Sequence, residues 1–69
     1  MDDTLNSRTA ANIRAELARR RITQEEFAAT LGIGRTAVTA MLNGQTAITL
    51  DKLELVAAAL GMDPRDLLT

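Results

Sequence analysis

Cysteine, histidine, tryptophan and tyrosine are missing from this 69-residue chain, and Phe27 is its single aromatic residue. Without cysteine there is no disulfide framework, and without cysteine and histidine there is no zinc site of the usual kind. The same gaps remove a Cys nucleophile, a His general base and a Ser-His-Asp triad. No metal, no cofactor and no enzymatic activity are expected. Long apolar runs are missing as well. The longest, Leu55 to Leu60, falls far short of the roughly 20 residues that cross a bilayer, so no membrane span is expected. Met1-Asp2-Asp3 is acidic where a secretory signal would be basic. The expectation is a soluble intracellular protein, and a chain this short has room for one core only.

A surplus of positive charge is also missing. Eight Lys+Arg stand against nine Asp+Glu, a formal net charge of −1, with a pI near 5.2. That balance argues weakly against a nucleic-acid partner. The distribution is uneven, however. Residues 1–49 hold six basic and five acidic side chains, net +1, and residues 50–69 hold two and four, net −2. The acids lean towards the C-terminal end.

What is present is aliphatic. The chain is 46% hydrophobic, so its core must be built from Ala, Leu, Ile, Val and Met, which suit closely packed helices. Strand signals are poor, because strict alternation never persists. Pro64 and the glycines at 32, 34, 44 and 61 punctuate the chain at intervals suited to short helices. An all-α fold of five short helices is expected.

The first helix is predicted over residues 8–20, with Ser7 as N-cap. Ala10, Ile13, Leu17 and Ala18 fall near one face, with Arg14 and Glu16 largely outside it. Arg19-Arg20-Arg21 sits at the C-terminal end, where the helix dipole favours cations. It reads as a solvated helix end or, alternatively, as a phosphate contact. The second helix has the clearest start. Thr23-Gln24-Glu25-Glu26 is a capping box, in which losing the Thr23 cap costs about 1 kcal/mol. Glu25 and Glu26 are placed for capping and the dipole, not for catalysis. Phe27, Ala28 and Leu31 form the buried side, and Gly32 ends the helix. The third helix starts after Gly34 and buries Val38, Met41 and Leu42. Its opposite face carries Arg35, Thr36, Thr39 and Ala40, and Asn43-Gly44 stops it. Thr49 caps a fourth helix whose apolar face is Leu50, Leu53, Val56, Ala57 and Leu60. Asp63-Pro64 opens a last short helix through Leu67 and Leu68.

Only Gly32, Ile33 and Gly34 join the second helix to the third. A link this short, with glycine at the turn, is a helix-turn-helix arrangement. The third helix then offers solvent a row of small polar and basic side chains, a shape suited to a DNA major groove. Free N–H groups at the starts of the second and fourth helices, at Thr23 and Thr49, suit phosphates. Arg35 can bind guanine O6 and N7 in a bidentate way.

From Ile22 to Leu68 the chain resembles the lambda-repressor-like, Xre/Cro-type helix-turn-helix family. The resemblance rests on Ile22-Thr23-Gln24-Glu25-Glu26-Phe27-Ala28, Leu31-Gly32-Ile33-Gly34, Val38, Asn43-Gly44, Leu53, Leu60-Gly61 and Asp66-Leu67-Leu68, and it spans 47 of the 69 residues. The stretch from Gly32 to Gly44 is especially similar to the recognition segment of the family's lambda-type phage repressors. The resemblance implies one helix-turn-helix DNA-binding domain over residues 1–69, its motif at about 23–43. It also implies a sequence-specific regulator of transcription, repressor-like or Cro-like. Gln24 would contact phosphate and brace the first residue of the recognition helix. Arg35, Thr36 and Thr39 would face bases, and Ala40 would touch a thymine methyl. Asn43 would bind the phosphate backbone, with further base or phosphate contacts from Thr46 and Thr49.

The implied partner is a double-stranded, pseudo-palindromic DNA operator, bound by a homodimer whose half-sites lie about 34 Å apart. Met62, Leu67 and Leu68 are the candidate dimer contacts. The implied location is the cytoplasm, at the nucleoid of a prokaryote or phage-infected cell. The chain departs from its relatives in having a single cation on the recognition helix, glycine at its cap and no basic N-terminal arm. Two rivals stand beside this reading. One is a protein-interaction or antitoxin-like module on the same scaffold, and the other is a fragment of a longer regulator.

Overall fold

The computed structural model describes residues 4–69, so the acidic lead Met1-Asp2-Asp3 lies outside the described residues. Four α-helices follow in order: α1 (Leu5–Arg19), α2 (Gln24–Leu31), α3 (Arg35–Leu42) and α4 (Leu50–Leu60). A single 3-10 turn over Pro64–Leu67 closes the chain. No strand occurs among the described residues. None of their helices is long and apolar enough to cross a membrane.

The first helix begins earlier than its pattern suggests. Thr4, not Ser7, is the N-cap, and its hydroxyl accepts the Ser7 N–H at 3.1 Å. Thr and Ser are both good caps, and Leu5-Asn6-Ser7 has no apolar period to choose between them. The buried face of α1 also differs from expectation. Thr9 and Glu16 join Ala10, Ile13 and Leu17 inside, while Ala18 is exposed. Glu16 tolerates burial because Arg19 and Arg20 reach its carboxylate at 2.8 and 3.2 Å, and buried charges require such partners.

The capping box of α2 is complete. Thr23 Oγ1 accepts the Glu26 N–H at 3.0 Å, and the Thr23 N–H donates to the Glu26 carboxylate at 2.9 Å. Phe27, Ala28 and Leu31 face inward, and so do Val38, Met41 and Leu42 of α3. From α4 come Leu53, Val56, Ala57 and Leu60. Leu50 does not join them. It is 79% exposed, because it follows the Thr49 cap directly and precedes the first full turn that packs.

The final segment is a 3-10 turn that ends at Leu67, where a helix through Leu68 was expected. Side chains of α1 bond carbonyls at this end of the chain. Asn12 Nδ2 donates to Leu67 O at 2.9 Å, and Arg8 donates to Thr69 O at 3.2 Å. Leu67 is fully buried in the core, which removes it as a dimer contact. Met62 and Leu68 are partly buried against the same core.

Candidate nucleic-acid interface

The site is built around the turn between α2 and α3. Gly32 takes a left-handed φ of 72°, which is open to glycine at little cost. Its N–H donates to Ala29 O at 3.2 Å, and the Ile33 N–H returns to Ala28 O at 3.1 Å. These two bonds satisfy carbonyls that α2 would otherwise leave open. Ile33 packs against the core. Gly34 is extended and caps α3 without a side chain, so Arg35 becomes its first residue. Val38, Met41 and Leu42 fix the inner face of α3, which leaves its outer face no choice of orientation.

That outer face carries the residues singled out from the sequence. Arg35, Thr36 and Asn43 are exposed, and Thr39 and Ala40 are half-buried. Thr39 Oγ1 donates to Gln24 Oε1 at 2.9 Å. Gln24 therefore braces the middle of α3, and the expectation that it braces the first residue, Arg35, is corrected. The bond ties the start of α2 to the outer edge of the helix it crosses. It leaves the Gln24 amide NH2 as a hydrogen-bond donor.

The two threonine caps are less free than expected for phosphate ligands. The Thr23 hydroxyl already accepts from Glu26, and the Thr49 hydroxyl accepts the Lys52 N–H at 3.1 Å. The Thr49 hydroxyl keeps its own proton for donation, whereas the Thr23 hydroxyl also bonds the Glu26 carboxylate. The Glu26 carboxylate takes the Thr23 N–H and then the Thr23 side-chain bond, and these hold its pKa below the usual value of 4.5. The start of α2 is thus partly filled by the protein's own anion.

Thr46 and Thr49 are exposed on the loop between α3 and α4. A residue that the sequence did not single out holds this loop. Asn6 Nδ2 donates to Thr46 O at 3.1 Å, and Asn6 Oδ1 accepts the Ile48 N–H at 2.8 Å. One amide therefore serves a backbone acceptor and a backbone donor two residues apart, as a neighbouring strand would. The structure puts Asn6 in the first turn of α1, where asparagine is a poor helix former but a good backbone partner; a helix expected to start at residue 8 leaves it outside and hides that signal.

The arginines divide by partner. Arg14 donates to Leu42 O, the last residue of α3, and Arg20 to Leu60 O, the last of α4. Arg19 and Arg20 share Glu16, Arg8 holds Thr69 O, and Arg65 pairs with Asp63 at 2.8 Å. Helix C-termini carry open carbonyls and partial negative charge, so these are favourable places for cations. Among the described residues, the side chains of Arg21, Arg35 and Lys52 have no such partner. Arg21 precedes α2, Arg35 opens α3, and Lys52 lies in the first turn of α4.

Comparison with known proteins agrees with this geometry. A family model described as Helix-turn-helix matches residues 13–67. The solved structure of the clp gene regulator ClgR from C. glutamicum superposes with a TM-score of 0.90 at 22% identity. The match covers 97% of this chain and 87% of that one. At that identity the likeness establishes the fold. No curated protein matches the chain.

Proposed function

The chain belongs to the Xre and lambda-repressor type of the helix-turn-helix family of DNA-binding transcription regulators, and from that premise we propose that it reads an operator with α3. The observation that carries the proposal is Arg35. It is exposed, opens a helix locked down on its other face, and has no partner among the described residues. A guanidinium so placed can grip guanine O6 and N7, with about 1–3 kcal/mol of discrimination. Thr36, Thr39, Ala40 and Thr46 provide the remaining base contacts. The amide of Gln24 and Asn43, with Thr23 and the hydroxyl proton of Thr49, provides the phosphate contacts. The protein acts as one unit over residues 1–69, in the cytoplasm at the nucleoid. It is repressor-like or Cro-like and has no catalytic role.

The operator is pseudo-palindromic and the bound form a homodimer, because two recognition helices about 34 Å apart read two half-sites. With Leu67 buried, Met62 and Leu68 are the remaining contact candidates. Selection from random duplex DNA tests the reading. A palindromic site should be enriched, and Arg35→Ala should relax one base pair per half-site. Sedimentation with and without that site tests the dimer, and a monomer in both states opposes it. The rival protein-interaction module finds support in Leu50, 79% exposed beside the same loop. No enriched sequence at low salt would favour that rival.

A further inference from the structure

We propose that Arg21 binds a phosphate of the duplex backbone, a role that rests on the DNA-binding reading above. Arg21 occupies the left-handed position just beyond α1, with φ of 56°. Its N–H donates to Ala18 O at 3.2 Å, and the next N–H, of Ile22, returns to Leu17 O at 2.9 Å. This is the helix-closing pattern in which glycine usually takes the left-handed position. The chain follows that rule at its three other positive-φ positions among the described residues, Gly32, Gly44 and Gly61. At the end of α1 alone it uses a residue with a Cβ, which the left-handed region disfavours.

Folding gives no return for that choice. Arg21 is exposed, and its side chain has no partner among the described residues. Its two neighbours differ. Arg19 and Arg20 both pair with Glu16, and Arg20 also donates to Leu60 O. Of the three consecutive arginines, Arg21 alone keeps its charge uncommitted. It stands two residues before Thr23 and three before Gln24, whose side chain is bonded to Thr39 of α3. Two Cα steps span at most about 7 Å, so the first turn of α2 lies within reach of the long Arg21 side chain. That turn carries Glu25 and Glu26, which repel a phosphate. A free arginine just upstream of them in the chain offsets the repulsion and offers a bidentate grip on phosphate oxygens.

The test uses Arg21→Gly, Arg21→Asn and Arg21→Lys, with anisotropy titrations of a labelled duplex carrying the selected site over a range of salt. Glycine and asparagine both accept the left-handed backbone without positive charge. Because the bound dimer carries two such contacts, each should lower the slope of log affinity against log salt by about 2, and the affinity about 25- to 100-fold near 0.1 M salt. Lysine should retain most of the slope. Arg21→Gly should also raise the thermal midpoint, so that weaker binding cannot be ascribed to a damaged fold. Wild-type slope in both neutral variants would overturn the proposal while leaving the DNA-binding reading intact. Wild-type protein with no salt-sensitive binding to any duplex would instead defeat the reading on which it rests.

Discussion

Replacing Asn6 by alanine should loosen the loop between α3 and α4 and lower stability. The side chain makes two bonds to that loop, one to Thr46 O and one from the Ile48 N–H. The Thr46 carbonyl is exposed and is re-solvated when the bond is lost, at a cost of about 0.5 kcal/mol. The Ile48 N–H is partly buried, so leaving it unmet costs about 1–1.5 kcal/mol. Alanine returns about 0.5 kcal/mol through better helix propensity in α1. The net loss is about 1–1.5 kcal/mol, or roughly 4–12 °C in thermal midpoint for a domain of this size. Asn6→Asp sharpens the test. A carboxylate still accepts the Ile48 N–H but meets Thr46 O with two acceptors and no donor, so it should not rescue. Thermal and urea unfolding give the stability change. Operator titration should show an added loss of affinity, because Thr46 and Thr49 are carried by this loop. Alanine within about 0.3 kcal/mol of wild type, or aspartate equal to asparagine, would refute the clamp.

Two further predictions concern the cap and the core. The Glu26 carboxyl has its pKa lowered by its bonds to Thr23. A depressed folded pKa adds stability above the unfolded value, and that stability is lost as pH falls through the folded pKa. Glu26→Gln should therefore differ most from wild type near neutral pH and converge with it in acid, as read by unfolding midpoints from pH 7 down; a constant difference would count against the linkage. Leu67→Ala should cost about 2–5 kcal/mol, since its side chain is fully buried, whereas Leu50→Ala at 79% exposure should stay within about 0.5 kcal/mol. Circular dichroism melts separate the two, and an equal response would mean that the assigned core is wrong.

The features legible in the sequence were the local ones. The T-x-x-E box at Thr23, the glycine stops at Gly32 and Gly61, and the apolar spacing of Val38, Met41 and Leu42 each depend on residues within one or two turns. Local geometry gives such signals a definite partner, and all of them form as expected. Signals failed where one end of the interaction lay far along the chain. Asn6 meets Thr46 and Ile48, Arg14 meets Leu42 and Arg20 meets Leu60, at separations for which no periodicity speaks. Glu16 falls largely outside the apolar period of α1, and only its two arginine partners explain its burial. The 79% exposure of Leu50 shows the opposite failure, since a leucine in register need not be covered at the open first turn of a helix.

The same distant contacts change what the net charge of −1 means. A count over the sequence treats every arginine as part of an electrostatic field available to DNA. In the folded chain, Arg8, Arg14 and Arg20 close backbone carbonyls, while Arg19 and Arg65 sit against carboxylates. Arg8, Arg14 and Arg20 thereby hold the C-terminal turn, α3 and α4 against α1, and the pairs of Arg19 and Arg65 are local. The unpaired cations that remain among the described residues, Arg21, Arg35 and Lys52, each stand beside the start of a different helix. Helix starts are where backbone N–H groups and dipoles also favour anions. A few cations set at such points favour bound DNA in one register, whereas a diffuse basic surface would attract it in many. The acidic balance is therefore compatible with specific recognition, and it makes weak non-specific binding the natural companion of that recognition.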